Sequence, residues 1–403
     1  MKNEFIYNIQ NIFSDDVESV LSTTKMKKFY IGPYQRSYKW KSEGKFDQVP
    51  QLLNDIYDAW NKDYESEYFL QYITVKADST NRWLEVIDGQ QRLTTLSLFF
   101  YQLEKFEDKN NIFEMEIMMS VRIIIDSASD LTKEQADKLG LDFLPLKTIF
   151  GTEEYLDGIT LSHQQFYEKL IESDCMPTTS QIPPHDFEQL YADVKEKKDT
   201  AVVITLSSRL SGTFQSANIA LDGYEDCITI VDSENVCLGE QIVVMYACRL
   251  RDAGASASKI AKALDQKKKD VRVLALLDTL EYLKRGGRIS KTAALAGNLL
   301  SIKPVITIAD GEVAVLGKAR GSKNGCNMLR EEIAKCNGID FSMPLCLGYT
   351  GLEDSLLQKY IEDNTDLWKS YVEELPISSI GSTIGTHTGP GGICVAFFSK
   401  TNS

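Results

Sequence analysis

The sequence lacks the features that most directly signal a nucleic-acid, membrane or metal function. Its 44 Lys and Arg are outnumbered by 58 Asp and Glu, and the formal net charge is −14. This excess of acid argues against general binding to nucleic acids or to anionic membranes. No apolar run reaches the roughly 18–20 residues that a membrane-spanning helix needs. Only three His are present, at positions 163, 185 and 387, so we expect neither a membrane span nor a multi-histidine metal site.

The cysteines also lack the spacing that would signal metal binding or a redox motif. Eight Cys are scattered singly along the 403 residues, with no CxxC pair among them. The opening MKNEFIYNIQ has no apolar core of a secretory signal. We therefore expect reduced thiols in a cytoplasmic protein, and no bound metal.

The most informative stretch that is present is Ile204–Asn218, ITLSSRLSGTFQSAN. The apolar run Val202–Leu206 predicts a buried strand, and a helix is predicted to begin near Phe214. Hydroxyls and a glycine, including Ser211, lie between the two. A helix start carries free backbone N–H groups and the positive end of the helix dipole, which suit a phosphate or a carboxylate. The alternative is that Ser211 only caps the helix.

The first 117 residues contain none of the eight Cys and carry two distinctive motifs, YQRSYKW at 34–40 and IDGQQRLTTL at 87–96. These motifs resemble the N-terminal domain of GmrSD-type restriction proteins, whose core is ParB/sulfiredoxin-like. The resemblance implies a small α+β fragment and nucleotide- or DNA-directed hydrolysis. It implies a pocket formed by Tyr34, Gln35, Arg36, Asp88, Gln90, Gln91 and Arg92.

The chemistry of that pocket is open to two interpretations. Arg36 and Arg92 can grip phosphate, and Asp88 can bind a metal or orient water. Alternatively, Asp88 and its following glycine form a turn and Arg92 an ion pair. The family domain normally continues well beyond the second motif, whereas here it ends near Lys109, so we expect weak activity or none. Two Met at 118–119 then precede a predicted strand, which suggests a fusion of two coding units.

From Met119 onward the sequence resembles the DegV family along its whole length. The segments that carry the resemblance are IDSASDL at 125–131, PTTSQ at 177–181, SSRLSGTFQSA at 207–217, DTLEYLKRGGRIS at 278–290 and IGTHTGPGG at 384–392. The resemblance implies an α/β fold of two lobes that enclose a lipid tunnel. It sets the domains at residues 1–117 for the N-terminal fragment, 119–270 for the first lobe and 271–403 for the second.

The same resemblance implies that the chain binds one long-chain fatty acid and has no catalysis of its own. Several family members serve as the acyl-carrying subunit of a bacterial fatty acid kinase, which would be the partner. Other cofactors are not expected. By family pattern the carboxylate is held near Thr179, Ser180, Ser208, Ser211, Gly212, His387 and Thr388. Arg288 and Arg320 are expected to face the kinase and the phosphoryl group rather than the lipid tail.

The energetics of a fatty acid favour this division of roles. Burying about 15 methylenes at about 0.8 kcal/mol each contributes about 12 kcal/mol, whereas each hydrogen bond to the carboxylate adds about 1.5–3 kcal/mol. The tail should therefore dominate affinity, and the polar loop should fix which end is presented. Acyl chain length and saturation are left open, as is a hydrolase function of the N-terminal fragment.

Acid and hydroxyl groups at two predicted strand ends suggest a hydrolase or metal site as an alternative. These groups are Asp126, Ser127, Asp232 and Ser233. We favour strand-end capping, because no motif surrounds either of the first two histidines and no Ser-His-acid triad is supported.

Overall fold

The computed structural model describes residues 121–289 and 302–400, together with three short strands nearer the N-terminus. The chain divides into two compact units, Met1–Ile117 and Met118–Ser403. In the first unit the strands are β1 (Lys28–Tyr30), β2 (Thr74–Asp78) and β3 (Trp83–Asp88). β3 pairs in parallel with β1 and antiparallel with β2. Asp88 ends β3, whereas the other pocket residues predicted at 34–36 and 90–92 lie outside the described residues.

The second unit begins with an alternation of strands and helices. In chain order the elements are β4 (Val121–Asp126), α1 (Lys133–Lys138), β5 (Leu141–Leu144), β6 (Lys147–Phe150), β7 (Glu153–Leu156), α2 (His163–Glu172), β8 (Thr178–Ser180), α3 (Pro184–Glu196), β9 (Thr200–Thr205), α4 (Thr213–Ile219), β10 (Ile228–Asp232), α5 (Leu238–Asp252) and α6 (Ala257–Lys267).

The remaining elements run to the end of the described chain. They are β11 (Val271–Leu276), α7 (Glu281–Arg285), β12 (Ile302–Ala309), β13 (Glu312–Arg320), α8 (Gly321–Lys335), β14 (Leu345–Tyr349), α9 (Ser355–Asp363), α10 (Thr365–Trp368), β15 (Ile377–Ser379), α11 (Ser382–Thr388) and β16 (Ile393–Phe398).

A four-stranded parallel sheet of order β10-β9-β4-β5 forms the first layer. Its central strands are apolar on both faces: Ile123–Ile125 of β4 and Ala201–Ile204 of β9 are almost fully buried. This is the pattern expected when helices cover both faces of a parallel sheet. A separate small antiparallel sheet, β7-β6-β8, carries Thr179 on its edge strand β8.

The second large sheet has six strands in the order β13-β12-β11-β16-β14-β15. All neighbouring pairs are antiparallel except β14 and β15. Every residue of the central strand β16 is buried.

Helix α5 connects the two large sheets. It packs against β4 on one side and against β11, β14 and β16 on the other. One continuous hydrophobic core therefore runs from Ile123 in the first sheet to Ala396 and Phe398 in the second. A second cluster, which includes Leu329, Leu357 and Trp368, lies on the far side of the six-stranded sheet. A cavity lies next to this shared core, and it is lined by the β9–α4 loop, by α11 and by strands of the six-stranded sheet.

Candidate ligand-binding cavity

A cavity of about 450 Å³ lies between elements of both large sheets. Most of its wall is aliphatic. These apolar lining residues come from the β9–α4 loop, from α7 and α11, and from the strands of the six-stranded sheet. They include Leu206, Leu210, Leu283, Val273, Ala275, Ile306, Ile308, Val313, Ile384 and Ile393. A cavity of this size and lining is suited to an apolar ligand that carries few polar groups.

Polar groups from three elements meet at one part of the wall. Thr179 of β8 and His387 of α11 are joined by a hydrogen bond of 2.9 Å between Oγ1 and Nε2. Ser211 and Gly212, which precede α4, line the same cavity, as do Ser180 and Thr388. The structure thus brings together six of the seven residues for which the sequence predicted carboxylate contacts.

The start of α4 has the local geometry predicted for it, one residue earlier than expected. The backbone N–H of Thr213, the first helical residue, donates to Ser211 Oγ at 3.2 Å. Gly212 is the N-cap residue and no side chain caps the helix, so Ser211 supports the turn just before it and also lines the cavity. Gln181 closes over this turn, since its Nε2 donates to Ser216 Oγ at 2.9 Å. A Cβ on Gly212 would lie only 1.9 Å from Gln181 Oε1, so a larger residue there would push the Gln181 side chain off this turn.

Two buried carboxyl groups hold the start of α11, the helix that carries His387. Asp157 Oδ1 accepts from the backbone N–H of Ser382 at 2.9 Å and from its hydroxyl at 2.7 Å. Asp130 Oδ1 accepts from the backbone N–H of Gly381 at 2.7 Å. Sequence reasoning missed this role of Asp130 and Asp157. The sequence carries no local signal for this role, because Asp130 and Asp157 lie 251 and 225 positions before their partners in the chain.

His387 is neutral at physiological pH. Burial, followed by the positive charge of Arg288, lowers the pKa of His387 to about 4. Its Nδ1 is buried and has no hydrogen-bond partner, whereas Nε2 faces Thr179. A neutral imidazole provides one donor and one acceptor, so this residue contributes hydrogen bonding and not charge to the cavity.

Arg288 lies on the cavity wall, although the sequence analysis expected it to face away from the lipid. The chain reverses at Gly287, whose φ is +70°, and brings the guanidinium back against the β9–α4 loop. Arg288 Nε donates to the carbonyl of Leu210 at 3.1 Å, and Nη1 donates to that of Gly286 at 2.6 Å. Arg288 therefore shares the cavity wall with apolar residues that distant parts of the chain supply.

Ser208 and Arg320 are not brought to the cavity. The side chain of Ser208 is exposed, and its backbone N–H donates to the Asp232 carboxylate at 3.2 Å. The hydroxyl that points inward is that of Ser207, which donates to the carbonyl of Gly311 at 2.7 Å. Arg320 ends β13 and is exposed. The prediction of a carboxylate contact for Ser208 is therefore not met by this geometry.

Strand-end capping by Asp126 and Asp232 is confirmed. Asp126 accepts from the backbone N–H groups of Ala128 and Leu206, and Asp232 accepts from that of Glu234 at 2.9 Å. Ser127 donates to the Asp157 carboxylate at 3.0 Å. Within residues 121–289 and 302–400 no cluster of three or more His, Cys, Asp or Glu side chains has the arrangement of a metal site.

Three buried carboxyls near these strand ends are difficult to ionise. Desolvation raises the pKa of Asp126 to about 7 and raises those of Asp130 and Glu240 well above their usual range. Neither carboxyl oxygen of Glu240 makes a hydrogen bond of good geometry, although the carboxyl of Asp126 lies close beside it. Their burial and mutual proximity favour protonated carboxyls at neutral pH.

Comparison with known proteins identifies the chain. The sequence model that describes uncharacterised proteins of the DegV family matches residues 120–400. The chain belongs to the DegV family. It is 32% identical over 286 residues to a DegV domain-containing protein of Caldanaerobacter subterraneus subsp. tengcongensis, covering 70% of this chain and 100% of that protein. Protein DegV of Bacillus subtilis is 32% identical over 284 residues, which cover 69% of this chain and 100% of its own.

Solved DegV structures share the fold. A fatty acid-binding DegV family protein of Thermus thermophilus matches with a TM-score of 0.63 at 31% identity, covering 70% of this chain and all of its own. DegV of Bacillus subtilis, described as a fatty acid binding protein, matches with a TM-score of 0.61 at 30% identity and the same coverage. A stearic acid-binding protein of Eubacterium ventriosum matches with a TM-score of 0.61 at 26% identity, covering 70% of this chain and 98% of its own.

The DegV match begins at residue 120, so it lends no support to the hydrolase alternative, which rests on residues 1–110. Among the helices of the described chain, none is both long enough and apolar enough to cross a bilayer.

Proposed function

We propose that this DegV protein binds one long-chain fatty acid, with the tail in the aliphatic cavity and the carboxylate at Thr179, Ser211 and His387. The observation that carries the proposal is the pairing of a largely apolar cavity of about 450 Å³ with hydroxyl and imidazole side chains on its wall, among them the hydrogen-bonded pair Thr179 and His387. The fatty acid binding described for the DegV proteins of Thermus thermophilus and Bacillus subtilis supports it.

Affinity and orientation would come from different parts of the ligand. About 15 buried methylenes contribute about 12 kcal/mol, so the aliphatic wall accounts for most of the binding free energy. The polar group decides which end of the molecule lies at α11. Arg288 adds a positive charge on the same wall, and its spare N–H groups are suited to a carboxylate or a phosphate.

We further propose that the bound carboxylate is presented to a fatty acid kinase. In that step a carboxylate oxygen attacks the γ-phosphorus of ATP, the bond to the bridging oxygen breaks, and acyl phosphate and ADP result. Arg288 at the cavity and the exposed Arg320 at the start of α8 supply positive charge for the phosphoryl group or the partner. The chain itself supplies no nucleophile in this scheme, since the attacking oxygen belongs to the ligand.

The direct test is organic extraction of protein purified from a bacterial host, followed by mass spectrometry. We expect one fatty acid per chain. A matched variant is Ala275→Trp, which would fill the cavity from β11 and should leave the folded protein without lipid. Well-folded wild-type protein that yields no stoichiometric fatty acid would contradict the proposal.

A further inference from the structure

The residue that ends helix α7 lies so close to α11 that a side chain there would meet the imidazole of His387. A Cβ atom on Gly286 would lie 2.1 Å from His387 Nδ1 and 2.8 Å from its Cε1. The φ of Gly286 is −71°, which any residue adopts. Glycine is therefore needed here for space and not for backbone conformation. Any larger residue would displace the imidazole of His387 from its present position.

The next residue shows the opposite requirement. Gly287 has a φ of +70°, and a Cβ built on it would meet nothing within 4 Å. Glycine is needed here for the positive φ of the turn, a backbone conformation that Asn also tolerates. The two adjacent glycines thus form a matched pair, in which one supports the imidazole and the other only the turn.

The contact with Gly286 also decides where the imidazole carries its proton. The Cα–H bond of Gly286 that takes the place of a Cβ points toward Nδ1. A lone pair on Nδ1 accommodates this C–H group as a weak acceptor, whereas an N–H would face it hydrogen to hydrogen. Since a neutral imidazole has one protonated nitrogen, the proton lies on Nε2, which is 2.9 Å from Thr179 Oγ1.

This assignment fixes the direction of the hydrogen bond. With the proton on Nε2, His387 donates to Thr179 Oγ1, and the hydroxyl proton of Thr179 is left to point elsewhere. Thr179 lines the cavity, so its proton can be offered to a carboxylate oxygen of a ligand. We propose that Gly286 is a positioning residue that holds His387 as an Nε2–H donor and thereby makes Thr179 a donor to the ligand. The second step, in which Thr179 donates to the ligand, rests on the proposed fatty acid site. The first step, in which Gly286 sets the protonated nitrogen of His387, does not.

The first step is tested by ¹⁵N NMR of histidine-labelled full-length protein. The chain has three His, and the His387 signals are assigned by their loss in His387→Ala. In the wild type we expect an unprotonated Nδ1 and a protonated Nε2 from pH 5.5 to 8. Gly286→Ala should move these signals, and Gly287→Asn should preserve them. An Nδ1–H tautomer in the wild type, or unchanged signals in Gly286→Ala, would overturn the proposal.

The second step is tested by a double-mutant cycle with hexadecanoate as the probe and hexadecanol as a ligand that lacks the carboxylate. Gly286→Ala should weaken hexadecanoate binding about tenfold and hexadecanol binding much less. In the His387→Ala background the imidazole no longer blocks the new methyl group, whose remaining close neighbour is the carbonyl of Tyr282 at 3.2 Å. Gly286→Ala should therefore have little further effect there. Equal losses in both backgrounds would overturn the proposal, as would a double variant that fails to fold when His387→Ala folds.

The outcomes separate this inference from the proposed function. If wild-type protein binds neither probe, fatty acid binding fails, while the NMR result still decides whether Gly286 sets the tautomer of His387.

Discussion

Ser207 Oγ donates a hydrogen bond of 2.7 Å to the carbonyl oxygen of Gly311, and both groups are buried. Ser207 follows β9 of the parallel sheet, and Gly311 lies at the tip of the β12–β13 hairpin of the six-stranded sheet. Their neighbours Leu210 and Ile308 line the cavity. This hydrogen bond therefore joins the two sheets at one end of the cavity.

Ser207→Ala should loosen that junction. The carbonyl of Gly311 would be left buried without its donor, at a cost of about 1–3 kcal/mol in the free energy of unfolding. Urea unfolding followed by circular dichroism measures the change. Ser208→Ala is the matched control, because its side chain is exposed, and we expect a change within about 0.5 kcal/mol. Equal effects of the two substitutions would show that the junction contributes nothing to stability.

Arg288→Ala should raise the pKa of His387 and lower the affinity for hexadecanoate. The charge of Arg288 helps to lower the pKa of His387, so its removal should raise that pKa, although burial keeps it below the usual value. Hexadecanoate affinity should fall by up to about tenfold if Arg288 contributes one charge-assisted hydrogen bond of about 1.5 kcal/mol. NMR titration and ligand binding measure the two effects.

The control for this substitution is Arg320→Ala. Arg320 is exposed at the end of β13, so neither the pKa of His387 nor hexadecanoate affinity should change. An unaltered pKa in Arg288→Ala would contradict the electrostatic link between Arg288 and His387.

Local pattern was sufficient to predict the strand and helix around Ser211. The apolar run Val202–Leu206 corresponds to β9 within one or two residues, and the helix begins at Thr213 instead of Phe214. Residues near one another in sequence determine such elements, so periodicity and capping signals suffice.

Contacts between distant segments could not be predicted in this way. Ser207 and Ser208 are adjacent and identical, yet one is buried against Gly311 and the other is exposed. Arg288 meets Leu210 across 78 positions of sequence. The family resemblance suggested which residues lie together on the cavity wall, but the hydrogen bonds that orient them depend on tertiary packing that no local pattern encodes.

The buried carboxyls predict how stability depends on pH. Desolvation raises the pKa of Glu240 well above 4.5 and that of Asp126 to about 7. In the folded chain these groups keep protons that the unfolded chain has already lost above about pH 4.5. Unfolding therefore releases protons, and the free energy of unfolding should fall as the pH rises from about 4.5 through 7.

Glu240→Gln tests the contribution of Glu240 to this effect. An uncharged amide replaces a buried carboxyl that lies beside Asp126, and it cannot lose a proton. The fall in the free energy of unfolding between pH 5 and pH 8 should become shallower, and the variant should be at least as stable as the wild type at pH 8. Urea unfolding at several pH values measures the slope. Glu134→Gln serves as the control, because Glu134 is exposed and its pKa is lowered by Lys138, not raised. If Glu240→Gln keeps the wild-type slope, Glu240 holds no extra proton in the folded chain, and the fall comes from Asp126 and Asp130 instead.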